Sequence, residues 1–307
     1  MTIIWKETLG SKLALSLHCR ARTFPPYEAW LRHGHRKARA ACRDLLPDNG
    51  ELDDLCQELR AHGVAQRHLG YFGAPYEEMV AAADRLCAEL AAQPVEGPHF
   101  RDVQDDERLL AEPSPFLFLL SEPLLDLAER YMGMPVGYFG LAVKREIANG
   151  ELKGTRGFHT DPEDENVLKI IVYLNDVDAG TGPFQCISAP DSAKAGRARG
   201  AELERVVPPS SWITCLGPRL TANVCDTARC LHRASAPITT DRYSITFSYV
   251  SERPYLVWGR DLVRQQQFRK RWGTRLNARQ MMALERASGR SETGFSRPRS
   301  ASRASDG

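Results

Sequence analysis

From about residue 136 to residue 250 the chain is a succession of short β-rich runs broken by Gly, Pro and Asp, with no helical pattern read between them. The runs cover 138–145, 167–174, 184–188, 211–215, 220–224 and 243–250. Several short strands at such intervals, without helices read between them, argue for a sandwich or jelly roll rather than a parallel sheet. Upstream the pattern is helical. Apolar residues at helical spacing or helix-favouring composition mark 27–46, 51–61, 75–92 and 121–132, the last with Ser121 as N-cap, Pro123 in its first turn and Gly133 at its end. Further helices are expected at 260–271 and 278–287. The segment 288–307 is Ser, Arg and Gly with almost nothing apolar and is expected to be disordered.

Composition narrows the partners. With 41 basic and 39 acidic residues the formal net charge is only +2, so no global field selects nucleic acid or a membrane surface, and a small-molecule substrate is expected by default. The strongest apolar stretch, 116–120, is broken by Ser121, Glu122 and Pro123, far short of a membrane-spanning helix. Lys6 and Glu7 stand where a signal peptide needs its apolar region, so a cytoplasmic location is expected. The eight cysteines contain no C-x-x-C pair. Cys225 and Cys230 have the wrong spacing for a zinc knuckle, and all eight read as reduced, buried small hydrophobes. Nothing in the sequence sets an oligomeric state.

The chemistry centres on GFHTDPEDENVLKIIVYLNDVDAGTGPF, where His159 and Asp161 are one residue apart just ahead of a strong strand. In an extended chain residues i and i+2 point to the same side, so the imidazole and the carboxylate can reach one ion. Two histidines and a carboxylate on one face of an octahedral iron(II) leave positions for a bidentate cosubstrate and O2. Of the eight histidines only His232, in DTARCLHRASAP, lies in the later β-rich region, which makes it the third ligand by elimination. The other six read as surface or packing residues. Ten residues after His232 comes DRYSITFSYV, whose alternation puts Arg242, Ser244, Thr246 and Ser248 on one face and Tyr243, Ile245, Phe247 and Tyr249 on the other. The second face is core. The first is unusually polar, and a guanidinium fork beside a hydroxyl suits a carboxylate.

The stretch from about 138 to 253 resembles the phytanoyl-CoA dioxygenase-like branch of the Fe(II)/2-oxoglutarate-dependent oxygenases. The resemblance is carried by HTD at 159–161, YLNDVDAGTGPF at 173–184, DTARCLHR at 226–233 and RYS at 242–244, with LCQELRAHGVA at 55–65 similar to the family's entry helix and first strand. It implies a mainly β, α+β fold with a double-stranded β-helix core (about 136–253) and a helical N-terminal layer. The corresponding organisation is a helical extension over 1–50, an oxygenase domain over 51–285 and a disordered tail over 286–307. It also implies Fe(II) on His159, Asp161 and His232, and 2-oxoglutarate on Arg242 and Ser244. The reaction implied is oxidative decarboxylation of 2-oxoglutarate by O2 to succinate and CO2, coupled to oxidation, most simply hydroxylation, of an unactivated carbon. Halogenases of this class carry Gly or Ala where Asp161 stands, so halogenation is disfavoured, while desaturation, ring closure and epoxidation stay open.

Lys169 and Tyr173 share a strand face and are expected beside the cosubstrate. Arg156, Phe158 and Phe184 flank the motifs and are expected on the substrate side, with Lys144 and Arg145 as weaker candidates. Two departures from the family pattern stand out. ISAPDSAKAGRARG replaces a Gly-Ser-His turn, with 194–200 expected to be a mobile loop near the mouth, and Phe158 replaces a tryptophan. Two other classes fit a β-rich chain with histidine ligands: a cupin-like metal isomerase or cysteine-type dioxygenase without 2-oxoglutarate, and a non-catalytic jelly-roll binding module.

Overall fold

The computed structural model describes residues 3–5, 9–22, 24–42, 46, 50–94, 99–103, 105–152 and 154–286; the expected tail over 288–307 lies outside them. In chain order the elements are β1 (Ile3–Trp5), α1 (Leu9–Ala21), α2 (Pro25–Cys42), α3 (Asp53–His62), β2 (Val64–His68), α4 (Glu77–Ala91), β3 (Phe100–Asp102), α5 (Asp106–Leu110), α6 (Ser114–Leu119) and α7 (Glu122–Met132). There follow β4 (Val136–Glu146), β5 (Leu168–Tyr173), β6 (Phe184–Cys186), α8 (Ala189–Ala195), α9 (Gly200–Val206), β7 (Ile213–Cys215), β8 (Thr221–Asp226), β9 (His232–Ala234), β10 (Arg242–Ser251), β11 (Leu256–Trp258), α10 (Gly259–Trp272) and α11 (Ala278–Arg286). The architecture is mixed helix and antiparallel sheet.

The large sheet runs β2-β8-β5-β10-β4-β3 and the small one β7-β6-β9, antiparallel throughout; β1 and β11 form a separate parallel pair. Strand alternation gives the large sheet two unlike faces. Leu168, Ile170 and Val172 of β5 and Ile245, Phe247 and Tyr249 of β10 pack with α3, α4, α6 and α7 into the main hydrophobic cluster. Burying each such side chain is worth roughly 1.5–3 kcal/mol, which fixes the register and sends the alternate residues to the other face. That face meets the small sheet through Tyr173, Phe184 and four buried cysteines, Cys186, Cys215, Cys225 and Cys230. These cysteines are free thiols, in keeping with their reading as small hydrophobes.

Two local features tune this frame. Pairing of β10 with β4 shifts register between Ser248 and Tyr249, so that Phe139 is the extra residue of a bulge. Phe139 and Gly140 consequently both line the inner cavity. The stretch expected as a mobile loop over 194–200 instead begins inside α8 and ends on the first residue of α9. Ser188 caps α8, accepting from the Asp191 N–H at 3.3 Å, and Pro190 sits in its first turn. Helix-start chemistry, read in sequence as loop chemistry, accounts for the difference.

Candidate metal centre

His159 and His232 form an isolated antiparallel bridge. The N–H of His159 donates to the His232 carbonyl at 3.0 Å and the reverse bond is 2.9 Å. Their rings therefore emerge on one side, with centroids 4.3 Å apart. Asp161, two residues on, is pinned by its N–H to the Thr227 carbonyl at 2.9 Å. His159 Nε2 lies 3.9 Å from Asp161 Oδ1, and His232 Nε2 lies 3.8 Å from Asp161 Oδ2. One ligand atom from each residue falls within 4.8 Å of the other two, and among the described residues no other group of three His, Cys, Asp or Glu does this. The zinc reading of Cys225 and Cys230 has no such geometry.

The protonation states suit a cation. His159 Nδ1 is 2.9 Å from the Gly157 carbonyl and His232 Nδ1 is 3.1 Å from the Cys230 carbonyl. A carbonyl only accepts, so each Nδ1 carries the proton and each Nε2 keeps its lone pair. Burial, outweighing the pull of Asp161, lowers His232 to about 4, so the ring is neutral at neutral pH. Burial alone would raise Asp161, but the Lys169 ammonium, with His232 after it, holds this carboxyl below the ordinary carboxylate range. Lys169 Nζ is 2.6 Å from Asp161 Oδ2. Asp161 thus offers an ionised carboxylate whose Oδ2 is shared with the Lys169 ammonium. Two imidazoles anchored through Nδ1 and one carboxylate form a donor set that fits a divalent first-row metal.

His159 and His232 line a cavity of about 880 Å³ between the sheets, which also takes in Lys169, Phe184, Arg242 and Ser244. Arg242 is buried. Its Nη1 donates to the Gly182 carbonyl, its Nη2 is 3.8 Å from Glu146 Oε1, and its Nε has no partner. Ser244, two residues along β10, is presented to the same space, opposite Lys144 on β4. Lys144 is half-buried with its ammonium 5.0 Å from the centre of the Phe100 ring, and burial lowers its pKa.

Other sequence candidates stand elsewhere. The Tyr173 hydroxyl donates to the Cys215 carbonyl at 2.7 Å and accepts from the Phe184 N–H at 2.9 Å, so it ties the two sheets together. Arg156 is fully buried. Its guanidinium donates to the carbonyls of Glu151, His99 and Ile147 at 2.7–2.9 Å and to Asn149 Oδ1 at 2.7 Å, with Glu146 at 3.5 Å. Phe158 packs edge-on against Trp212 at 4.8 Å, and the Arg233 guanidinium lies 4.5 Å from the Phe158 ring centre, beside the cavity rather than in its wall. Arg145 faces the helices, bound to Asp241 and the end of α4. Sequence reasoning missed Glu146 and the pairing of Lys169 with Asp161. An acidic residue at the end of β4, inside an alternation that reads Lys144 then Glu146 on one face, was the available signal.

No family model matches the chain, and no curated protein matches it in sequence. Solved structures similar to it include the non-heme alpha ketoglutarate dependent carbocyclase SnoK from nogalamycin biosynthesis, at 14% identity over 73% of this chain and 90% of that one, with a TM-score of 0.49. Also similar are HygX from Streptomyces hygroscopicus with nickel and 2-oxoglutarate bound (14% identity, 65% of this chain, 86% of that one, TM-score 0.47) and EctD from S. alaskensis with bound Fe (16%, 67%, 78%, 0.46). Among the described residues no helix is long and apolar enough to cross a membrane.

Proposed function

We propose that the chain is a non-haem iron(II) oxygenase with a jelly-roll core that takes 2-oxoglutarate and O2 as cosubstrates and hydroxylates a C–H bond of a small molecule. One observation carries this reading: two imidazoles and one carboxylate converge, and the two imidazoles line a cavity that also holds the half-satisfied guanidinium of Arg242. His159, Asp161 and His232 would hold the iron. When bound, iron supplies the activation of O2 that couples decarboxylation of the cosubstrate to oxidation of the substrate.

The chain's own residues do the rest. Lys169 keeps Asp161 ionised, and the two backbone carbonyls hold each imidazole in the ligating tautomer. Arg242 offers its unpartnered Nε, with the Ser244 hydroxyl beside it, to the far carboxylate of 2-oxoglutarate. Phe139, Ile171 and Phe184 supply apolar wall that limits water at the reacting end. Asp161 fills the position that halogenation would need empty.

Glu146 favours the second reading, a cupin-like enzyme without 2-oxoglutarate, because it already faces Arg242. Yet this carboxylate is shared with Arg156 at 3.5 Å, nearer than its 3.8 Å to Arg242, and so does not saturate the second guanidinium. The test is succinate formation from 2-oxoglutarate by iron-loaded protein under air, with iron content measured in parallel. Iron-dependent turnover is expected in the wild type, and loss of both iron and turnover in His232→Ala. Iron-loaded wild type that forms no succinate would overturn the reading.

A further inference from the structure

Away from the metal centre, a cavity of about 440 Å³ lies between the N-terminal helices and the core. Its wall brings together Arg22 after α1, Arg32 of α2, Arg60 of α3 and Arg229 in the turn from β8 to β9, with Glu28 and Glu165. Both carboxylates are engaged: Glu28 pairs with Arg32 at 2.8 Å, and Glu165 with His35 at 3.0 Å and Arg39 at 3.1 Å. The other three arginines spend their donors on neutral acceptors. Arg22 donates to the Pro162 carbonyl at 3.2 Å and Arg60 to the Arg130 carbonyl at 2.9 Å. Arg229 donates to the Tyr131 hydroxyl at 3.0 Å and weakly to the Arg60 carbonyl at 3.4 Å. Among the described residues no carboxylate bonds directly to Arg22, Arg60 or Arg229. Asp226 reaches Arg229 only through Tyr131, which donates to it at 2.7 Å.

We propose that this cavity is a second ligand site, and that it takes a phosphate-bearing small molecule. Four arginines against two glutamates line one concave space, so a group carrying about two negative charges complements it. A planar carboxylate has two oxygens to share among three forks, whereas a phosphoryl group has three. Ala189, Pro190 and Ala193 give the cavity an apolar side against which the remainder of an organic phosphate can lie. The volume is within the usual range for small-ligand pockets.

The site is tested by calorimetric titration of the full-length chain with inorganic phosphate, with adenosine diphosphate and with malonate as a dicarboxylate control. Phosphate and the nucleotide should bind, more weakly as KCl is added. Arg60→Gln and Arg22→Gln should each weaken binding about tenfold or more, the value of one charge-assisted bond, while Arg242→Ala, in the other cavity, should leave it unchanged. Tighter binding of the nucleotide than of phosphate would identify an organic phosphate as the ligand, and equal binding the free ion. Absence of binding, wild-type affinity in the two arginine variants, malonate binding to Arg242→Ala as tight as phosphate, or loss of binding in Arg242→Ala alone would each overturn the proposal.

Discussion

At the residue scale the arrangement turns on which groups are already satisfied. His159 and His232 spend Nδ1 on the backbone and keep Nε2; Asp161 is matched by Lys169; Arg242 is left with an unpartnered Nε. Arg242→Ala should therefore leave iron bound but raise the dissociation constant for 2-oxoglutarate by about two to four decades, the consequence of leaving a buried charge unpaired at about 3–5 kcal/mol. Arg242→Lys should recover only part of this, because an ammonium lacks the planar fork. An unaltered affinity in Arg242→Ala, measured by anaerobic titration of the iron-loaded protein, would remove the cosubstrate role from this residue. The H-x-D pair, the distal histidine and the R-x-S strand start were all legible, because each is a local pattern on an extended segment. The partnership of Lys169 with Asp161 was not: the two meet only when β5 is laid beside the loop that precedes it.

At the scale of elements, period-two alternation gave β5 and β10 their inner and outer faces correctly, since one face of each is fixed by apolar burial. Alternation alone could not say which inner residues reach open space and which meet the small sheet. Tyr173 shares the face of Lys169, yet its hydroxyl is consumed by Cys215 and Phe184. Tyr173→Phe should cost about 1–3 kcal/mol of stability by stranding a buried carbonyl and N–H, with 2-oxoglutarate affinity unchanged; a large loss of affinity without loss of stability would return this tyrosine to the cosubstrate. The turn from α3 to β2 makes a sharper demand. Gly63 has φ +78°, and a Cβ there would stand 2.3 Å from Cys230 Sγ. Gly63→Ala should therefore lower stability by about 2–4 kcal/mol, read as a shift in the urea midpoint. A midpoint within error of wild type would mean that the inter-sheet thiol layer yields more easily than its packing implies. Short pieces such as β1, β3, β9 and β11 carried no readable period in sequence, because three residues cannot display one.

At the scale of the whole molecule, the N-terminal helices are clasped to the β-rich half by a buried cluster around His35 of α2. His35 lies 3.3 Å from Asp164 and 3.0 Å from Glu165, with Tyr255 and Ser251 at 3.2 and 3.4 Å and Arg39 on the far side of Glu165. This cluster grips the segment that follows Asp161, so it couples the N-terminal helices to the loop that carries the candidate metal ligands. Burial opposes the charge on His35, but the bond to Glu165 and the field of Asp164 prevail and raise its pKa above 6.5. A folded value above the unfolded one means that the stabilisation is fully present below pH 6.5 and is lost as the pH rises through the raised value. Asp164 works in the same direction: burial lifts it from 3.8 to about 6, so its contribution is present below 3.8 and is lost through about 6. The double variant His35→Gln/Asp164→Asn removes both titrating groups while keeping polar side chains of similar size. The melting temperature of the wild type relative to that variant should fall steadily as pH rises from 6.5. Removing His35 alone, by His35→Ala, should destabilise the fold at pH 6.5, because the buried Asp164 loses its cation and must take up a proton. A difference between wild type and double variant that stays constant, or grows, across neutral pH would show that the clasp is held by packing of α2 rather than by the charge on His35.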